Sequence, residues 1–186
     1  MKETAKLGGS MLKKAAIFIF FLCLGGSASA QSITIGIDGG VFLPSDSTVR
    51  NVFGDSWARI GLTPISFQTD QRWRFTFDVG FLNASSFGND ATLIPVTFGV
   101  TRAFPDKSEI VPYVAVRVGP CFADVNSPFL GIDESEVVMD VNASVGITVS
   151  KTFYFEIRYD WMSEVAGLDF SGLFISAGIR LFDIRL

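Results

Sequence analysis

FYFEIRYDW (153–161) sets Phe153, Phe155, Ile157, Tyr159 and Trp161 on one phase and Tyr154, Glu156, Arg158 and Asp160 on the other. Successive side chains of a strand point to opposite faces, so this stretch is a strand with one oily and one largely ionic face. A soluble barrel would bury the odd-numbered set. A barrel in a membrane turns that set to lipid and closes around the charges. Alternation is identical in the two cases, so the chemistry of the faces has to decide the direction.

The same period recurs along the chain. Alternation and turn signals predict eight strands, at about 32–43, 56–68, 71–83, 91–104, 110–124, 137–149, 152–162 and 170–182, with no helix of useful length between them. The first sets Ile33, Ile35, Ile37, Val41 and Leu43 against Ser32, Thr34, Gly36, Asp38 and Gly40. The third sets Trp73, Phe75, Phe77, Val79 and Phe81 against Arg72, Arg74, Thr76, Asp78 and Gly80. In the sixth, Val137, Met139, Val141, Val145 and Ile147 oppose Asp140, Asn142, Ser144, Gly146 and Thr148. In the eighth, Leu173, Ile175, Ala177, Ile179 and Leu181 oppose Gly172, Ser176, Gly178 and Arg180. In the second strand Ala58, Ile60 and Leu62 share a face, and the phase slips at Pro64 so that Ile65 and Phe67 point outward. A bulge explains both the slip and a proline that cannot donate to the ladder.

The polar phase carries Gly, Ser, Thr, Asp and Arg, and Lys151 is the only lysine in or touching a strand. Strands that face water favour lysine. Arginine suits a confined space, because its guanidinium pairs carboxylates in a fixed fork. Arg59, Arg72, Arg74, Arg117, Arg158 and Arg180 stand against Asp38, Asp78, Asp140, Glu156 and Asp160. An eight-stranded barrel has a lumen just wide enough for side chains, where such a set neutralises itself. Gly36, Gly40, Gly80, Gly119, Gly146 and Gly178 make room for the long side chains. Trp73 and Phe81, like Phe153 and Trp161, are eight residues apart on one outward face. At ~3.3 Å per residue and a tilt near 40°, each pair spans roughly 20 Å, close to the ~25 Å apolar band of membrane barrels, with the rings at its two girdles.

Links of two sizes join the strands. TDQ-like, PDKSE and SK turns alternate with PSDSTVRNVFGDS, NASSFGN, NSPFLGIDESE and SEVAGL. Short turns at one end and long loops at the other suit an outer-membrane barrel, with both chain ends periplasmic.

Residues 1–30 read as a cleaved signal peptide. Lys2, Lys6, Lys13 and Lys14 precede the apolar AAIFIFFLCL (15–24), and GGSASA ends in an Ala-x-Ala pattern, so cleavage is expected between Ala30 and Gln31. That apolar run is too short for a helix to span a bilayer, and FFL ahead of Cys23 lacks the small residues of a lipobox. The remaining 31–186 is one domain. The leader takes with it four lysines and a glutamate, leaving eleven basic against eighteen acidic residues, a balance that gives no support to nucleic-acid binding. Cys121 is then alone, so no internal disulfide forms, and it is expected to fill a small lumen site.

LIPVTFGVTRAFPDKSEIVPYVAVRVGPCF (93–122) resembles the paired strands of small outer-membrane β-barrel proteins, those of the OmpA transmembrane domain and its OmpX-like relatives. The matching elements are Ile94-Pro95-Val96 descending to a short turn and Pro112-Tyr113 through Gly119 climbing back. The resemblance implies insertion by the outer-membrane assembly machinery, escort by periplasmic chaperones, and outer-membrane lipids and lipopolysaccharide as surroundings. Family members usually end on an aromatic in the lipid-facing phase, whereas GIRLFDIRL interposes Asp183 and ends on Leu186.

The chain has no histidine, and the barrel-borne deacylases, acyltransferases, phospholipases and omptin proteases known by resemblance depend on one, as activation of a serine ordinarily does. Ser85, Ser86 and Ser171 are accordingly loop and strand residues. Glu156 with Asp160, or Asp140 with Glu156, are carboxylates neutralised by Arg117, Arg158 and Arg180 rather than an acid–base pair. Asp124, Asp133, Glu134 and Glu136 crowd DVNSPFLGIDESE (124–136) without calcium-loop spacing, so a solvated acidic loop is expected, with Phe129 and Leu130 at its tip.

These readings converge on an all-β, eight-stranded antiparallel up-and-down transmembrane barrel in the outer membrane of a Gram-negative-type cell. It is expected to be monomeric, non-enzymatic and free of cofactor or metal, with a structural or surface-interaction role through its outer loops. Two alternatives remain open: a narrow pore of the same fold, and a secreted lipocalin-like barrel holding an apolar ligand.

Overall fold

In the computed structural model, which describes residues 32–68, 72–105 and 108–185, eight strands close into one antiparallel barrel in sequential order. They are β1 (Ser32–Pro44), β2 (Trp57–Gln68), β3 (Trp73–Ser86), β4 (Asn89–Ala103), β5 (Ile110–Ser127), β6 (Ile132–Val149), β7 (Phe153–Met162) and β8 (Gly172–Arg185). Pairing of β1 with β8, from Ser32 opposite Arg185 to Pro44 opposite Gly172, completes the closure. No sheet edge is left, as hydrocarbon requires. The expectations for residues 1–30 lie outside the described residues, as does Leu186, and the side chain of Asp183 is likewise not described.

The direction of the faces is settled along β7. Phe153, Phe155, Ile157 and Trp161 are each about half exposed, at 52%, 51%, 50% and 51%, while Tyr154, Glu156, Arg158 and Asp160 are buried. The same holds in β6, where Val137, Met139, Val141, Val145 and Ile147 face outward and Asp140, Asn142, Ser144 and Thr148 face inward. A lipocalin-like reading, which needs the oily set inside, does not survive this geometry. Ile157 sits mid-strand on the oily face, so Ile157→Arg is expected to cost about 2–4 kcal/mol in lipid, read as a lower urea midpoint of the folded barrel. A water-facing exterior would leave that midpoint unchanged.

The slip in β2 is a bulge. Its pairing with β3 shifts between Leu62 and Ile65, after which Ile65 and Phe67 register with Phe77 and Phe75. A second irregularity lies where Ile35 and Gly36 of β1 meet Phe182 and Arg180 of β8. Leu181 is the extra residue there, and Leu181 and Phe182 are both exposed.

Two expected loops turn out to be strand. β3 and β4 meet at a two-residue turn, Phe87–Gly88, with φ of 49° and 83°, the left-handed pair of a type I′ hairpin. β5 and β6 stay paired to Ser127 opposite Ile132 and turn through Pro128–Gly131. The acidic stretch is therefore mostly a hairpin that outruns the oily band. Past Phe81 and Phe122 the outward phase turns polar, with Asn83, Ser85, Asp124 and Asn126, because it meets water instead of lipid.

The remaining long-loop connections carry structure too. Ser47–Phe53 forms a short helix, α1, with Asp46 as N-cap accepting from Val49 N at 2.9 Å and Gly54 following with φ 101°. Val49, Val52 and Phe53 form its buried stripe. After β7, Val165 and Leu168 bridge one another in a small hairpin.

Candidate functional site

Only the barrel interior and the tall hairpins at the long-loop end concentrate chemistry among the described residues, and the interior has two zones. The middle is ionic. Arg59 on β2 reaches Asp78 on β3 at 2.6 Å and Asp38 on β1 at 3.5 Å. Asp78 offers its other oxygen to Arg158 on β7 at 3.2 Å, and Arg158 Nε lies 3.0 Å from Asp160 Oδ1. Arg117 on β5 holds Glu156 with both ends of its fork, donating to Oε1 at 3.2 Å and Oε2 at 2.9 Å. Tyr113 donates to Glu156 at 3.0 Å and Tyr154 to Asp38 at 3.4 Å. A continuous run of ion pairs thus ties five strands across the lumen. Pairing and charge-assisted hydrogen bonds offset part of what desolvation costs these buried charges.

Glycine makes this possible at two points on the wall. A Cβ at Gly80 would lie 2.5 Å from the Arg59 guanidinium, and one at Gly146 would strike the Tyr113 ring.

The arginines do not all join the middle. Arg59, Arg117 and Arg158 are fully buried, whereas Arg74 and Arg180 are half-buried towards the short-turn end, where Arg180 donates to Thr148 Oγ1 at 3.0 Å. Arg72 precedes β3 and is exposed, because β3 begins at Trp73 and not at 71. Three buried arginines therefore face five buried acids: Asp38, Asp78, Asp140, Glu156 and Asp160. Of the five, Asp140 is the one neither of whose oxygens has a hydrogen-bond partner. Of the carboxylates considered as acid–base pairs, Glu156 is held by Arg117 and Asp160 by Arg158, while Asp140 accepts no hydrogen bond.

Above the ions lies an apolar zone that sequence reading missed. Phe42, Trp57, Leu82, Leu93, Cys121, Val125, Phe170 and Phe174 form one buried cluster with Val49, Val52 and Phe53 of α1 and with Val165 and Leu168. Trp57 is its centre, 5.7 Å from Phe42, 6.2 Å from Phe53 and 5.8 Å from Phe170, and its indole donates to Gly54 O at 3.0 Å. Phe174 divides the zones: the guanidinium groups of Arg59 and Arg158 lie 4.4 and 4.8 Å from its ring centre. Phe42, Leu82 and Phe174 occupy the inward phase at strand ends, a readable signal. Cys121 sits inside this cluster.

Outside, Trp73, Phe81, Phe153 and Trp161 are all exposed on the oily face. Arg102 lies over Trp73 and over Phe104, 5.3 Å from each ring centre, as expected of a cation at an interface. Asp124, Asp133, Glu134 and Glu136 are exposed along the β5–β6 hairpin, where Asp124 accepts from Ser135 at 2.7 Å. Among the described residues no group of three acids, histidines or cysteines is placed to hold a metal.

A closed eight-stranded wall, oily without and ionic within, decides the class. This is the fold of small outer-membrane barrels. Neisserial surface protein A superposes with a TM-score of 0.62 at 16% identity, over 84% of this chain and 97% of that one. The attachment invasion locus protein Ail of Yersinia pestis gives 0.52 at 13% identity, over 81% and 99%. OprG from Pseudomonas aeruginosa gives 0.51 at 12% identity, over 85% and 98%. No family model matches the chain, and no curated protein matches its sequence. The lipid-facing belt and the closed barrel together place the protein in the outer membrane.

Proposed function

We propose that this barrel is a non-enzymatic outer-membrane protein with a sealed lumen, acting through the hairpins and loops of its long-loop end. The observation that carries this reading is the double seal: a lumen blocked by ion pairs around Arg117, Arg158 and Asp78, and blocked again by the aromatic cluster around Trp57. Two layers of buried side chains across the lumen argue against a substrate pocket or a water path there, and exposed acids and aromatics concentrate at the loop end. Fold alone does not fix activity. The non-enzymatic reading is supported by the absence of histidine from the sequence and by carboxylates committed to arginine.

The finer kinship, with the OmpA transmembrane domain and OmpX-like barrels, is supported by strand count and by the Ile94-Pro95-Val96 and Pro112-Tyr113 to Gly119 elements. On that kinship the chain is a monomer, inserted by the outer-membrane assembly machinery with periplasmic chaperones and surrounded by lipid and lipopolysaccharide.

Planar-bilayer recording tests the seal. The refolded protein is expected to show heat-modifiable, urea-resistant migration and no steady unitary conductance in molar KCl. A steady conductance would replace this reading with the narrow pore.

A further inference from the structure

The two tall hairpins end in exposed phenylalanines that folding does not explain. Phe87 is fully exposed at 103% and Phe129 at 81%, with Leu130 beside it. Phe87 also holds φ at 49°. That position of a type I′ turn suits Asn, Asp or Gly, and a bulky residue there is an outlier held against its preference. Phe87 lies six residues beyond Phe81, the last apolar residue of the outward face on β3, so it stands roughly 15 Å above the oily band at ~3.3 Å per residue and a 40° tilt. It is no anchor in its own membrane.

The tips act as a unit. β4 and β5 pair to Asp90 opposite Asn126, and Ser127 Oγ donates to Asn89 Oδ1 at 2.7 Å just below both turns. Asn89 in turn donates to Ser86 O at 3.1 Å. Two aromatics are thus carried on neighbouring, cross-linked turns. Around them stand Asp90, Asp124, Asp133, Glu134 and Glu136, all exposed and spread over both faces, while residues 83–92 and 122–138 contain no lysine or arginine.

Resting on the surface-interaction reading above, we infer that the joined tips of the β3–β4 and β5–β6 hairpins are a docking surface for a protein partner whose contact face is basic and accepts aromatic side chains. The acids draw and orient the partner, and the phenylalanines supply the apolar contact that holds it. The same acids repel an anionic lipid surface, which argues for a protein over a membrane.

The test uses the full barrel in phosphatidylcholine nanodiscs, with empty nanodiscs subtracted. The probes are twelve-residue peptides in which lysine alternates with alanine around two leucines, the matched glutamate peptide, and phosphatidylglycerol vesicles. The lysine peptide is expected to bind, the glutamate peptide and vesicles not to, and Phe87→Asn with Phe129→Asn to weaken the lysine peptide at least tenfold. Phe87→Asn alone relieves the turn, so it is expected to keep or raise the unfolding midpoint, which separates lost docking from lost folding. Undiminished lysine-peptide binding by the double variant, or capture of the vesicles through the phenylalanines, would overturn the inference. A barrel that fails to insert, or that conducts, would instead count against the underlying reading.

Discussion

Asp78→Asn is expected to lower the stability of the detergent-folded barrel by about 3–5 kcal/mol, the usual consequence of removing one partner from a buried ion pair. Asp78 joins two buried guanidinium groups at close range, 2.6 Å from Arg59 and 3.2 Å from Arg158. An amide of the same shape takes a charge from both cations in the buried middle of the lumen, where Asp78 is 1% exposed. Asp140→Asn is the control. Its carboxylate is as deeply buried and accepts no hydrogen bond, and the middle of the lumen already holds more acids than arginines. Neutralising it is expected to leave stability unchanged or raise it. The measurement is the urea midpoint of the folded-to-unfolded shift in heat-modifiable migration for both variants. Equal losses at the two sites would mean that the pairing geometry does not set the energetics of the lumen.

That contrast also marks how far the sequence could be read. Alternation in 153–161 reports the face of every residue, because period two is a local property of an extended chain. Arg and the near-absence of Lys then reveal which face is enclosed. Partner choice is a different matter. Whether Asp78 or Asp140 receives the arginines depends on register and stagger between strands distant in sequence, and nothing along the chain encodes that stagger directly. Arg72 shows the same limit at a strand end: in phase with Arg74, it falls one residue short of β3 and stays exposed.

The loop end was harder for another reason. Strand ends were expected where outward apolar residues stop, at Asn83 and Asp124, but hydrogen bonding continues to Ser86 and Ser127. The outward phase changes solvent there, so its pattern changes while the backbone does not. α1 was hidden because seven residues hold under two turns and show only one repeat of the spacing Val49, Val52, Phe53. Its signals were nonetheless present, in Asp46 as cap and Gly54 as stop. Phe42 and Phe174, apolar on a phase that is otherwise polar, were the trace of the plug.

The plug carries the second large effect. Trp57→Ala is expected to destabilise the barrel by about 3–5 kcal/mol, as large-to-small changes at buried aromatics do. The side chain is 2% exposed and touches three other rings from β1, α1 and the last loop, so no single neighbour can move in to fill the space. Its loss also removes the indole bond to Gly54 O that fastens the end of α1, so proteolysis within 45–56 is expected to rise along with the fall in urea midpoint. On the sealed-lumen proposal the conductance stays at zero nonetheless, with the ion pairs below Phe174 closing the lumen independently of the rings above it. Channel activity in Trp57→Ala would show that the aromatic zone alone is the seal and that the charged zone, despite its pairing, lets water through.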